Sequence, residues 1–279
     1  MGWRDRGVEI KTPEQLLLMR RAGLVVGATL QLLSESVRPG MTTGELDAIA
    51  EDSIRSRGAV PSFLGYQGFP GSICVSVNEE VVHGIPGDRV LAEGDLVSID
   101  CGAIVEGFHG DAALSVVVGG APSAADAELL RITQESMWRG IAAARDGGRV
   151  TDIGHAVESY VRSQDATGTA LGIVEDYVGH GIGTEMHLPP NVPNYGKPGR
   201  GPRLVPGLAL AVEPMLTAGD PETDILEDEW TVVTADGARA AHFEHTFVLT
   251  EHGHWVLTAL DGGEERLTAL GATFGPLAD

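Results

Sequence analysis

The chain has 279 residues, with 40 acidic side chains against 19 basic ones, for a formal charge of −21 at neutral pH. That balance repels phosphate backbones and anionic lipid, and no run of Lys and Arg supplies a basic patch, so nucleic acid is excluded as a partner. Hydrophobic residues at 43% and charged residues at 21% give the composition of a soluble globular chain, long enough for one ample core.

No apolar run of about 18 residues is read as a membrane span. The stretch from Met1 to Ile10 lacks the apolar core of a signal peptide, so the expectation is a cytoplasmic protein. Cys74 and Cys101 each sit in an apolar run without a CxxC partner. They are expected to be buried free thiols, and thiolate zinc is excluded.

Thr12-Pro-Glu-Gln15 opens a helix, with Thr12 as N-cap, Pro13 in the first turn and Gln15 closing a capping box. Apolar residues recur at helical spacing through Leu16, Met19, Leu24, Leu30 and Leu33 until Pro39-Gly40. Thr42-Thr-Gly-Glu45 starts a second helix, expected to reach Gly58. A strand-rich block runs from about Ser62 to Val118. The scheme then restarts: Ser123 caps a helix ending near Gly147-Gly148, Thr151-Asp152 caps another through Val161, and strands occupy about Gly168 to Thr258.

The two halves match in detail. Leu91-Ala-Glu-Gly-Asp-Leu-Val-Ser-Ile-Asp100 parallels Leu204-Val-Pro-Gly-Leu-Ala-Leu-Ala-Val-Glu213, each a Leu, a Gly three residues on, and an apolar run ending on a carboxylate. His83-Gly-Ile-Pro86 likewise parallels His180-Gly-Ile-Gly183. The expected fold is therefore an α+β domain with pseudo-two-fold symmetry, a central antiparallel sheet and helices on its outer face. One catalytic domain would span residues 1–279, its halves roughly 10–120 and 121–260.

Carboxylates ending apolar strands are costly unless something holds them. Asp100 and Asp111 flank a Glu106-Gly107 turn, which places them nearly opposite one another in a hairpin. Glu213 ends an apolar strand, and Glu244 points away from Phe243 and Phe247 by the period of two. Asp236-Gly237 reads as the turn of a further hairpin. His180 lies among glycines that let something approach its ring. Four oxygen donors and one nitrogen donor suit two divalent first-row metals bridged by carboxylates, the hydrolytic device of two cations about 3.5–4 Å apart.

Ser76-Val-Asn-Glu-Glu-Val-Val-His-Gly-Ile-Pro86, the Asp100/Asp111 spacing, Gly179-His-Gly-Ile-Gly183, Glu213-Pro-Met215 and Phe243-Glu-His-Thr246 occur here in one order. In these motifs, from about Ile10 to Leu260, the chain resembles the methionine aminopeptidases of the pita-bread fold, specifically the short type I enzymes. The resemblance implies a dinuclear aminopeptidase that removes the initiator methionine from nascent proteins, preferentially before a small second residue. Asp111, His180, Glu213 and Glu244 would hold one metal. Asp100, Asp111 and Glu244 would hold the other, the metals being Co, Mn, Fe or Zn. Glu213 would act as general base, His83 would contact the scissile amide and His187 would stabilise the developing oxyanion. Phe63, Tyr66, Phe69, Cys74, Met186 and Trp230 would wall the methionine pocket. Transient ribosome contact and a monomeric state are implied as well.

Gln67 stands where the family often has histidine, and Met186 where an aromatic is frequent. The acidic run Asp220–Glu229 reads as a solvated loop, with a preference for basic nascent chains as the competing reading. Two other functions compete: a proline-directed aminopeptidase or dipeptidase of the same fold, and a metal-free peptide-binding module. Only 82 residues precede His83, too few for the extra domain of the proline-directed relatives. The complete ligand set argues against the module.

Overall fold

The computed structural model describes residues 8–165 and 168–278. Residues 1–7, and with them most of the stretch read for a signal sequence, lie outside these. Helix α1 (Pro13–Ser36) carries the expected capping box on Thr12, and α2 (Thr43–Ser56) carries its own on Thr42. Strands β1 (Val60–Pro61), β2 (Ile73–Val77) and β3 (Glu80–Val82) lead to the long hairpin of β4 (Leu96–Val105) and β5 (Phe108–Val117). Glu106 and Gly107 both adopt positive φ, 49° and 85°, which is the tight turn the sequence announces.

The second half repeats the order. It has α3 (Ala124–Ala143), α4 (Val150–Asp165), β6 (Gly172–Ile173), β7 (Gly179–Gly181), β8 (Leu188–Val192) and β9 (Ala209–Val212). Then come β10 (Met215–Thr217), β11 (Thr223–Ile225), β12 (Val232–Thr234), β13 (Ala240–His242), β14 (Glu244–Thr250), β15 (Gly253–Val256) and α5 (Glu264–Ala269).

The main sheet runs β1-β4-β5-β14-β9-β7-β8, with β2 on β4 and β15 on β14, and every pairing is antiparallel. The β5–β14 contact is its pseudo-two-fold seam: β4 outside β5 corresponds to β9 outside β14, and β2 outside β4 to β7 outside β9. One face is apolar. Val75, Val97, Ile99 and Cys101 pack with α1 and α2, while Leu210, Val212, Phe243 and Phe247 join Met137 and Ile153 of α3 and α4. The alternate residues of the same strands face the other way, and these include the carboxylates.

Three details of the sequence reading change. Helix α4 begins at Val150, so Thr151 lies inside it; Asp152 instead reaches back to the Arg149 N–H at 2.8 Å. The turn at Asp236-Gly237 exists, but β12 pairs with β11 and β3 while β13 pairs with β10, so its flanks form no hairpin. The hydrophobic pattern could not reveal that neighbouring strands enter different sheets. Finally, α1 is long and apolar enough to cross a bilayer by length and composition. Its apolar stripe is used internally: Met19, Val26 and Leu33 are buried, and the helix lies against β4 and β5. Cys74 and Cys101 are buried free thiols, as expected.

Close approach fixes α1. A Cβ on Gly23 would lie 2.2 Å from the Leu257 carbonyl oxygen, and one on Gly110 of β5 would lie 2.7 Å from the Gly23 nitrogen. Backbone on both sides cannot yield, so Gly23→Ala is expected to destabilise by about 1–3 kcal/mol or more. Urea unfolding of the purified variant measures this. An unchanged midpoint would show that the helix has room to move.

Candidate metal centre and substrate pocket

The register of the sheet assembles the centre. Cys74 pairs with Asp100, Asp100 with Ala113, and Ala113 with Glu244, so these residues form one row across four strands on one face. Asp111, two residues before Ala113, shares that face. It pairs with Gly102, two residues from Asp100, so the two aspartates meet diagonally. Val212 pairs with His245, which brings Glu213, the next residue, alongside Glu244. Ala113 in the middle of the row leaves space above the strand that a larger side chain would fill. Thr246 pins Asp111 by accepting its N–H at 3.2 Å and donating to its carbonyl at 2.8 Å.

His180 enters from β7. A Cβ on Gly179 would stand 2.3 Å from the Ala211 carbonyl oxygen, and one on Gly181 2.3 Å from that of Pro189. Glycine on both sides is what lets β7 carry the ring in close. His180 Nδ1 lies 2.9 Å from the Gly181 carbonyl. A carbonyl only accepts, so Nδ1 holds the proton and Nε2 presents its lone pair, 3.4 Å from Glu213 Oε1. Asn194 Nδ2 donates to the Glu213 carbonyl at 3.1 Å, fixing that backbone.

Asp111, His180 and Glu244 offer ligand atoms within 4.8 Å of one another, and so do Glu213, His242 and Glu244. Asp100 Oδ1, Asp111 Oδ1, Glu244 Oε1 and His242 Nε2 are buried without a hydrogen-bond partner. Four orphaned donor atoms in one neighbourhood, nearly all oxygen, fit a pair of divalent cations, and Glu244 belongs to both groups. The five sequence-predicted ligands therefore converge. His242, which the sequence reading missed, joins them. Its signal was its place two residues from Glu244 on an extended chain, the same face by period two.

The cleft holds about 200 Å³. Phe63, Tyr66, Phe69, Cys74, Met186 and Trp230 wall its apolar end, with Gln67 and Val82 beside them. His83 and His187 also line it. His83 adopts φ 61°, a left-handed conformation unusual for a residue with a Cβ, which turns the chain sharply at the end of β3. Tyr66 Oη lies 2.9 Å from His187 Nδ1, and the His187 and His180 rings are 4.4 Å apart. Part of the acidic run has a structural task. Thr223–Ile225 is a strand, and Asp228 accepts the N–H groups of Trp230 and Thr231 at 2.9 and 2.8 Å, which holds Trp230 at the rim.

Residues 17–251 match the profile of metallopeptidase family M24. The chain belongs to that family. Within it, this M24 chain groups with the methionine aminopeptidases. It is 50% identical over 248 residues to methionine aminopeptidase 1 of Bacillus subtilis, covering 89% of this chain and 98% of the relative. It is 52% identical over 255 residues to methionine aminopeptidase 1 of Mycobacterium tuberculosis, covering 91% and 96%. The crystal structure of methionine aminopeptidase from Rickettsia prowazekii superposes with a TM-score of 0.86 at 38% identity, covering 90% of this chain and 99% of that one.

Burial dominates the electrostatics of the M24 site. It pushes Asp100 up to about 7, and it drives Asp111, Glu213 and Glu244 well above the carboxylate range, with the neighbouring carboxylates adding to the effect. It pushes His180 and His242 down to about 3 and His83 to about 4. The 3.4 Å approach of His180 to Glu213 is thus a contact of two groups held towards their neutral forms, not an ion pair.

The consequences for metal-free protein have opposite signs. The raised carboxyls favour folding at low pH, and that contribution disappears as pH climbs through their folded values, about 7 for Asp100. The lowered histidines favour folding above 6.5, and their contribution disappears as pH falls towards 4 and 3. Of these two sets only the carboxyls still act above 6.5, so chelated protein is expected to lose thermal stability between roughly pH 6.5 and 7.5, below the range in which the buried Lys11 titrates. Mn²⁺ at about a hundred times its Kd should add roughly 2.7 kcal/mol, or about 5–10 °C in Tm. A chelated melting curve that stays flat across this range would contradict the assignment.

Proposed function

We propose that this chain is a dinuclear metal-dependent aminopeptidase that removes the initiator methionine from nascent proteins, preferentially when the second residue is small. The observation that carries the reading is one cleft with clustered carboxylates at one end, three of them with a buried oxygen that no described residue bonds, and an apolar pocket at the other. The names of the relatives and the type I motifs support it. We read residues 1–279 as a single catalytic domain, with halves roughly 10–120 and 121–260 contributing to one centre.

Asp111, His180, Glu213 and Glu244 would hold one cation and Asp100, Asp111 and Glu244 the other, whether Co, Mn, Fe or Zn. When bound, the two cations would polarise the scissile carbonyl and acidify a water. The protein's own groups do the rest. Glu213, whose proton affinity is raised by burial and by Asp100 and Asp111, accepts a proton from the attacking water and returns it to the leaving amine. His83 donates to the scissile amide and His187 to the oxyanion, both kept neutral by burial. The Tyr66 hydroxyl occupies His187 Nδ1 and orients that ring. Phe63, Phe69, Cys74, Met186 and Trp230 take the apolar thioether side chain. Met186 is flexible enough to mould to it. On this reading the enzyme is a cytoplasmic monomer with only transient ribosome contact, in keeping with a charge of −21 that repels RNA.

Stripped protein titrated with Mn²⁺, Fe²⁺ or Co²⁺ is expected to cleave Met-Ala-Ser and to leave Ala-Pro peptides intact. The reverse preference would favour the proline-directed reading, and failure to bind metal would favour the binding module. Glu213→Ala should lower kcat by about 10²–10⁴-fold with an unchanged circular dichroism spectrum. His187→Ala should cost about 10²–10³-fold. Near-normal turnover by the Glu213 variant would mean that another group is the base.

A further inference from the structure

Reading the sequence supplies one imidazole to the cations, His180. The structure brings a second imidazole beside the same carboxylates. His242 ends β13, Phe243 dips into the apolar layer beneath the sheet, and Glu244 begins β14. The Phe243 N–H donates to the Pro214 carbonyl at 3.4 Å, which ties this link to the residue after Glu213. His242 and Glu244 therefore flank Phe243 and come up on the same side, next to Glu213.

The ring is 1% exposed, and its Nε2 has no hydrogen-bond partner. Glu244 Oε1 is orphaned in the same way. Glu213 Oε2 is 3.7 Å from His242 Nε2, and Glu213 Oε1 is 3.4 Å from His180 Nε2. His180 Nε2 has no proton to donate, and the 3.7 Å gap at His242 is beyond hydrogen-bond reach. Both gaps match coordination: two ligands about 2.1 Å from one cation and about 109° apart lie roughly 3.4 Å from each other, and a somewhat wider angle gives the longer gap. The Glu213 carboxylate thus stands between two imidazoles, one facing each of its oxygens.

We propose that His242 is a metal ligand, its Nε2 joining Glu213 and Glu244 around one divalent cation, so that the centre carries two imidazole nitrogens rather than one. This rests on the dinuclear reading above and deepens it. A second nitrogen shifts the site away from cations that prefer all-oxygen shells and towards Fe, Co and Zn. A buried ring nitrogen without a partner is otherwise a cost, and among the described residues Nε2 has no hydrogen-bond partner.

The test uses full-length protein loaded with Co²⁺ and followed by proton NMR, in which each coordinated imidazole contributes one exchangeable, hyperfine-shifted N–H resonance. The wild type is expected to show two such resonances. His242→Gln should show one, the His180 resonance, whose persistence reports an intact fold and site. Calorimetric titration of the same variant should show Co²⁺ binding weakened by at least about 10-fold at one of two positions. Both resonances and unchanged affinity in the variant would overturn the proposal. A fall in kcat with both resonances retained would also overturn it, assigning His242 to the orientation of Glu213 alone. Absence of Co²⁺ binding by the wild type would instead bring down the dinuclear reading, and this inference with it.

Discussion

Four carboxyl groups on one face of a sheet, Asp111 and Glu244 buried and Asp100 and Glu213 largely so, are the constraint on which this molecule is built. Each forfeits hydration, one oxygen each of Asp100, Asp111 and Glu244 finds no hydrogen-bond partner among the described residues, and together the four repel. Protons relieve that repulsion in the metal-free protein, and divalent cations bound there would relieve it as well. The surrounding features read as accommodations. Alanine at 113 keeps the middle of the row open, Thr246 clamps the Asp111 backbone, and the glycines flanking His180 let a further strand, β7, bring a nitrogen within reach.

Symmetry explains how so costly an arrangement arises economically. A single hairpin can place two carboxylates on a face, as β4 and β5 do. Doubling that plan and joining the copies along β5 and β14 sets a second pair against the first without a new design. The apolar side of the same strands is covered by one helix pair per half, so each copy carries its own core and the seam carries the chemistry.

Much of this was legible in the residues. Capping boxes gave the helix starts at Thr12 and Thr42, the Glu106-Gly107 turn gave the hairpin, and alternation placed Glu244 opposite Phe243 and Phe247. All five expected ligands, both pocket histidines and the six wall residues line one cleft. What stayed hidden depends on tertiary choice. Local pattern cannot say that β12 and β13, neighbours across a good turn, join different sheets. Nor does it separate His242 from an ordinary packed histidine, because its importance lies in what it fails to bond. The purpose of Asp228 was equally invisible, since it acts on backbone N–H groups that any sequence possesses.

The first helix carries a consequence for synthesis. The Arg20 guanidinium gathers the carbonyls of Val256, Leu257, Ala259 and Leu260, and Gly23 and Gly27 nestle against the backbone at Leu257 and Thr258. An oily segment that leaves the ribosome early must therefore wait for almost the whole polypeptide before its resting place exists. Until then its apolar stripe lacks part of its final cover, and the first half cannot complete its packing before the second has been made.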